Sequence, residues 1–378
     1  MTRISMSPAP SVTASAAPVR AAPDPARRQA IGRGLFWAAT ALFLAAVLVQ
    51  GLYSAGLTQV GFANWRPVLY AYVIWSVAVC ASQVLRHGQR GQRALFVLPA
   101  FLFTLAVVVF PTVFGLFIAF SDWNLSSFTG RQFNGIDNFV AMLNDPYYWN
   151  AMGNMVIYVL AVLVQYAIAF GLALLLNAEI RARKFFRVAF LLPFMLSPVA
   201  VSWMIGKSLM EYRFGPLAQL ARFLGWDSPA FFATPWIARA SIIALDSWVS
   251  IPFIMILLLA GLQAMPKDIM EAARIDGATG WQAFWKITFP LMLPVSVTAI
   301  VLRIIFQLKL ADIVINTTAG GPGGATDTVT SFIYREYRDR SNVGYGTMLA
   351  EFYFVLIVIF LTVLLALINR WMKRFPTT

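Results

Sequence analysis

Four ionisable residues lie deep inside long apolar runs of this 378-residue chain: Asp246, Arg303, Lys309 and Glu351, with Lys207 and Asp312 nearer the ends of such runs. A charged side chain in an apolar medium is costly, and it normally turns toward a bundle interior or a water-filled cavity. Helical spacing puts Arg303, Gln307 and Leu310 on one face with Phe306 beside it, and Asp246, Ser250 and Phe253 on another. Such faces can hydrogen-bond a polar solute, or Asp246 and Arg303 can bridge and tie two helices together; the spacing leaves both open. Lys309 points elsewhere, free to snorkel or to pair with another subunit. Catalysis has little support. The single histidine, His87, sits among Arg86, Arg90 and Arg93 with no nucleophile or metal-ligand pattern around it. Cys80 is the one cysteine, so neither a disulfide framework nor a thiol metal site is available, and no cofactor is implied. No G-x-x-x-x-G-K-[ST] loop occurs, so this chain has no means of binding ATP phosphates by that route.

The elements that must position these groups are membrane helices. The chain is 60% hydrophobic and only 12% charged, where soluble domains run to about half apolar and a quarter charged. Eight segments are long enough to cross a bilayer, at about Gly34–Ala55, Pro67–Leu85, Ala94–Phe120, Asn154–Leu176, Phe185–Met210, Ile237–Leu262, Leu291–Ala311 and Thr347–Trp371. Barrel strands give weaker, alternating signals, so the fold class is an all-α polytopic membrane protein with eight transmembrane helices. Pro99, Pro111, Pro193, Pro198 and Pro252 fall within spans, where neighbouring helices can satisfy the freed carbonyls.

Charge asymmetry sets the orientation. With the N-terminus inside, 18 of the 29 basic residues fall in cytoplasmic segments and eight in outer ones, which puts both termini in the cytoplasm. The net charge of +13 therefore reads as topology, and no soluble basic domain exists to bind nucleic acid. Residues 1–33 are rich in Ala, Pro, Ser and Arg and are expected to be a disordered cytoplasmic tail. A cleavable signal over residues 1–56 fits poorly, because the basic region and the apolar run are both too long. Residues 34–93 form two further helices and a basic loop, and residues 94–378 the remaining six spans.

One cytoplasmic segment, residues 263–289, is not dominated by basic residues. Asp268 is placed to cap a short helix after Pro266, Asp276-Gly277 supplies a turn, and a second helix carries Trp281, Phe284, Trp285 and Ile287 toward Pro290. Read alone, it is a capped amphipathic helix on a membrane surface. Yet Glu271-Ala272-Ala273, then Asp276-Gly277-Ala278, Phe284, Ile287, Pro290 and Pro294 resemble the signature loop of type I ABC importer permeases. The resemblance implies that this loop is a coupling helix docking into a separate ATP-hydrolysing subunit, with Glu271, Ala272, Ala273, Asp276, Gly277 and Ala278 at the contact. The chain itself would then be no enzyme.

A second set of residues narrows the family. Thr318-Ala319-Gly320-Gly321-Pro322, Ala325-Thr326-Asp327-Thr328, Tyr334 and Gly344-Tyr345-Gly346 resemble the external segment of maltose-type sugar permeases, as do Leu191-Leu192-Pro193 and Phe214-Gly215-Pro216-Leu217. Without that resemblance the glycines and prolines would read as an ordinary connector. The likeness runs from about Ala94 to the C-terminus, so the last six spans are the permease core and the first two an addition. It implies a substrate path at Phe194, Asp246, Ser250, Phe253, Phe306, Gln307 and Leu310, with Arg303 alongside: aromatics stack on sugar C–H faces while Asp, Ser and Gln bond hydroxyls. Asp246 and Arg303 carry more charge than a neutral sugar needs, which leaves an acidic sugar derivative or sugar phosphate as an alternative solute. The large external insertion of some such permeases is missing, since only Ser121–Met152 is available. The implied assembly is a second homologous permease subunit, two ATP-binding subunits and a periplasmic or extracellular solute-binding protein, in the lipid of a bacterial inner membrane. A membrane scaffold or signalling protein would explain the spans and leave the loop unexplained.

Overall fold

Within lipid a helix is the one open-ended structure that satisfies its own backbone, and the apolar runs fold accordingly. The computed structural model describes residues 25–54, 57–128, 130–178 and 181–373. In chain order the helices are α1 (Pro25–Ser54), α2 (Arg66–His87), a short α3 (Gln89–Ala94), α4 (Leu98–Ala119), α5 (Asp137–Leu143), α6 (Pro146–Asn177), α7 (Arg183–Met195) and α8 (Pro198–Leu209). They continue as α9 (Pro216–Phe223), α10 (Pro235–Gln263), α11 (Lys267–Ile275), α12 (Gly280–Gln307), α13 (Asp312–Thr317), α14 (Val329–Arg338) and α15 (Val343–Met372). A two-residue ribbon, β1 (Ser121–Asp122) with β2 (Gln132–Phe133), is antiparallel. Among the described residues seven helices are each long and apolar enough to cross a membrane, and the bent pair α7 with α8 brings the number to eight if it is one span. The chain divides into two compact units, residues 1–111 and 112–378, and α4 runs from one to the other.

The first unit centres on the α1–α2 hairpin. Phe43 stacks on Trp75 with ring centroids 5.4 Å apart, and the Trp75 indole donates to Thr40 Oγ1 at 3.0 Å. Gly32 lets the two helices close, since a Cβ there would lie 2.8 Å from Arg86 Cγ. Of the expected tail, residues 1–24 lie outside the described residues, while residues 25–33 are helical. Pro25 starts the helix, and the Ala, Arg and Gln residues that follow carry good helix propensity.

The second unit is organised by α6, α10 and α12. Toward the α11 end of the bundle, Ala169, Ala173 and Leu176 of α6 bury against Ile254 and Leu258 of α10 and Met292 of α12. At the other end Met155 and Val162 of α6 meet Ile304 of α12, Phe332 of α14 and Leu349 of α15. Tyr166 donates to Ser296 Oγ at 2.8 Å between these layers. Only 6% of the apolar window of α15 is buried, so most of its surface is left for lipid or other chains.

Two expectations about the spans need correction. Residues 185–210 are not one straight crossing: α7 and α8 meet at 94°. Pro198 opens α8, and Ser197 (ψ 137), the residue before it, is extended, as expected for a residue held out of the helical region by a following proline; Leu196 (ψ 142) is extended as well. The seventh span runs from Gly280 to Gln307, not 291–311. The second helix of the 263–289 segment is therefore the start of that span. A π-helical turn over Phe284–Thr288 comes just before Pro290, where i→i−4 bonding would fail for want of an N–H.

Candidate functional site

Asp246 and Arg303 form an ion pair between α10 and α12. Gln165 on α6 completes the cluster: its amide N–H donates to Asp246 Oδ2 at 2.9 Å and to Ser247 Oγ at 3.0 Å, and its Oε1 accepts from Arg303 Nε at 2.9 Å. Ser250 Oγ reaches Asp246 Oδ1 at 3.4 Å. Asp246, Arg303 and Gln165 are 5%, 4% and 1% exposed. Of the two readings left open by the spacing, the geometry forms the bridge. Gln165 was missed at the sequence level, although a lone amide in the apolar stretch 156–170 is a signal of the same kind as an intramembrane charge.

The aromatic members gather beside this cluster. Phe194 stacks on Phe253 at 5.6 Å and 25°, and Phe306 packs edge-on against Phe253 at 5.6 Å and 82°. The row bridges α7, α10 and α12, and Phe194 and Phe306 are 49% and 53% exposed, so their faces are open. Gln307 is buried, and its Oε1 has no hydrogen-bond partner among the described residues. Leu310 does not share the Arg303 face. The helix ends at Gln307, and Leu310 turns into a separate apolar cluster with Tyr158, Ile242 and Val314. Lys309 and Asp312 are exposed beyond the helix end, and Lys207 lies over the Trp203 ring at 4.7 Å.

The segment after α13 is more than a connector. Arg239 Nε donates to Asn154 Oδ1 at 2.9 Å and to the Ala325 carbonyl at 2.8 Å, and Asn154 Nδ2 donates to the Gly324 and Asp327 carbonyls at 3.1 and 3.0 Å. The Tyr158 hydroxyl donates to the Thr326 carbonyl at 3.0 Å. Asp327 pairs with Arg335, accepts from Ser331 Oγ at 3.0 Å and packs directly beneath Gly320, whose φ of +86° suits glycine. Burial pushes the Asp327 carboxyl above the usual carboxylate range, against the opposing pull of Arg335. Burial likewise raises Glu336, which pairs with Arg340.

At the opposite end, α11 and the start of α12 form the expected helix and turn. Pro266, not Asp268, precedes the first helical residue and no side chain caps it; Asp268 lies in the first turn, where a carboxylate still favours the helix dipole. Gly277 takes φ +72° and ends α11, with the Ala278 N–H donating to the Ala273 carbonyl at 2.9 Å. Thr279 and Gln282 then make a reciprocal capping box for α12. Glu271, Ala272, Asp276 and Gly277 are exposed, Ala278 is half-buried and Ala273 is buried. Glu271 makes no ion pair among the described residues, while Ile275 and Trp281 are exposed apolar neighbours. A cavity of about 580 Å³ under this surface is lined by Met270, Ala273, Ala278, Trp281 and Phe284.

Comparison with known proteins bears on the whole arrangement. The family described as binding-protein-dependent transport system inner membrane component matches residues 177–376, just over half of the chain. The chain belongs to this family. The permease is 32% identical over 271 residues to a sulfoquinovosyl glycerol transport system permease protein of Agrobacterium fabrum, covering 71% of this chain and 87% of that one. It is 31% identical over 282 residues to a trehalose/maltose transport system permease protein of Thermococcus litoralis, covering 74% and 95%. A chain of a bacterial ABC transporter involved in the import of the acidic polysaccharide alginate superposes with a TM-score of 0.64 at 22% identity, covering 76% of the permease and 96% of that chain. The permease is thus an all-α, multi-pass membrane protein with the fold of an importer permease.

Proposed function

We propose that the permease lines the path of a neutral sugar or polyol across a bacterial inner membrane, alongside a second related permease. One of two ATP-hydrolysing subunits docks at α11, and an external solute-binding protein delivers the solute. The excess of basic residues in alternate connecting segments supports a cytoplasmic placement of both termini. The observation that carries the solute class is the aromatic row Phe194–Phe253–Phe306 beside a charge pair already neutralised within the protein. Ring faces suit sugar C–H surfaces, and with Asp246 holding Arg303 no bare cation is left there to select an anion. The trehalose/maltose system named for one relative carries neutral sugars, which supports the same class, whereas the sulfoquinovosyl glycerol system named for another carries a sulfonated, anionic sugar derivative. The coupling role rests on Glu271, exposed and without an ion pair among the described residues, at the centre of a short helix followed by a glycine turn. ATP-driven closure of the partner subunits would move α11 and, with it, α12, alternating access to the path.

The test is reconstitution of the complete importer with its solute-binding protein in vesicles. Uptake of labelled neutral saccharides or polyols is expected, with solute-stimulated ATP hydrolysis. Glu271→Ala is expected to lower that stimulation about tenfold or more, the worth of one charge-assisted bond, with insertion unchanged. Uptake confined to uronates or sugar phosphates would reject the neutral-solute reading, and normal stimulation in Glu271→Ala would reject the docking role.

A further inference from the structure

The α7 helix is the first arm of the bent α7–α8 pair, and its composition differs from that of the second arm. Arg183, Lys184 and Arg187 share it with Phe185, Phe186 and Val188, and the three apolar residues are exposed. A basic, amphipathic helix of this kind suits the boundary between headgroups and acyl chains. It begins at the membrane face where α10 ends at Gln263 and α11 follows.

Arg187 is the unusual residue. Its Nε and Nη2 atoms are shielded from solvent and have no hydrogen-bond partner among the described residues. The side chain lines a cavity of about 230 Å³ between α7 and α10, whose walls are otherwise Leu191, Met255, Ile256, Leu259 and Ala260, with Gln263 at the mouth. A guanidinium offers several donors in a rigid fork matched to phosphate, and burying it unsatisfied is costly. Nothing acidic lines the cavity among the described residues; the site has a cationic end and an apolar floor, the two characters that headgroup and acyl chain require.

We propose that this cavity holds an anionic phospholipid, with its phosphate on Arg187 and one acyl chain along Leu191, Ile256 and Ala260. Arg183 and Lys184, farther out, add attraction for negative charge without defining the site. The assignment to the cytoplasmic leaflet rests on the orientation proposed above; the ligand class does not. A free phosphate would satisfy the guanidinium and leave the apolar wall uncovered, so the lipid is the occupant that uses both halves.

The test measures lipid retention, not transport. The full-length permease, purified with the subunits that accompany it, is exposed to equal amounts of dioleoyl-phosphatidylglycerol and dioleoyl-phosphatidylcholine, and the lipid that survives is counted by native mass spectrometry. Preferential retention of the anionic lipid is expected. Arg187→Gln should lower it about fivefold, the worth of one basic residue at a charged surface, while Arg187→Lys should keep most of it. Ala260→Phe, which fills the apolar wall without touching the arginine, should lower retention as well. Equal retention of both lipids by the unaltered protein would overturn the proposal, as would unchanged retention in Ala260→Phe. Displacement of the lipid by equimolar inorganic phosphate would do the same, as would cross-linking of position 187 to an acidic segment of another subunit. Should Arg187→Gln fail to fold, Arg187→Lys and Ala260→Phe still decide the matter.

Discussion

Two ion pairs in the second unit do opposite jobs with the same chemistry. Asp246–Arg303 is sealed in the bundle, with side chains 6% and 5% exposed, and everything it touches is another side chain: Gln165, Ser247 through Gln165, and Ser250. Asp327–Arg335 sits where the 318–328 loop meets α14, with Arg335 28% exposed, and its surroundings are mostly backbone carbonyls gathered by Asn154, Tyr158 and Arg239. The first pins helix to helix where no water can replace a lost partner. The second shapes a loop in which water can reach the arginine but not the buried aspartate. Loss of either partner should therefore be severe in the bundle, and loss of Asp327 mild at the loop.

The largest effect is expected from Arg303→Gln, which leaves a buried carboxylate unpaired at a cost of about 3–5 kcal/mol. Yield of monodisperse protein and thermal stability should both fall, and adding Asp246→Asn should partly restore them. Full stability of Arg303→Gln would remove the contrast between the two pairs. Gln165→Leu is next. It strips hydrogen bonds from both charges while leaving the pair, so a loss of about 1–3 kcal/mol is expected, and Gln165→Glu should not rescue it, because the cluster would then carry a net negative charge.

The outer pair gives the smallest effect and a pH signature. Asp327→Asn should speed amide exchange over residues 318–328 with α6, α10 and α12 unchanged, since Arg335 can be rehydrated. Burial raises Asp327 and Glu336 in the folded state, so these carboxyls favour the folded loop most at pH values below their unfolded range near 4. Their contribution is lost as pH rises through the elevated folded values. Exchange corrected for intrinsic rate should therefore be slower under mildly acidic conditions than at neutral pH, and Asp327→Asn should flatten that slope. An unchanged slope would assign the pH dependence to Glu336.

The crossings were legible because twenty consecutive apolar residues admit few other interpretations, and the helix-turn at 263–289 was legible because Asp276-Gly277 can hardly be read otherwise. The 94° bend was not. Pro193 and Pro198 were visible, but a proline in a membrane span is compatible with a straight, kinked or broken helix, and packing against α10 and α13 decides among them. Helix ends were misplaced where amphipathic turns project beyond the apolar window, as at Gly280–Phe289 and Pro146–Gly153. In the site, Asp246, Ser250 and Phe253 lie along α10, where Asp246 pairs with Arg303 and Phe253 packs on Phe306 of α12; helical spacing places each set on one face and says nothing of the two faces meeting. Leu310 did not join the Arg303 face, because helical periodicity was extended past a helix end that carries no proline or glycine. Gln165 went unnoticed because neutral amides do not stand out against charges.

The unbroken course of α12 has a mechanical consequence. From Gly280, beside the glycine turn, to Gln307, beside the charge pair, it spans 28 residues, or about 42 Å of rod. A tilt of about 5° imposed at one end about the other sweeps an arc of about 4 Å, comparable with the thickness of one sugar ring. The π turn lies within nine residues of the Gly280 end and Pro290 and Pro294 follow it, so the compliance of the rod is concentrated in its first half, and the stretch beyond Pro294 carries Arg303, Phe306 and Gln307 together.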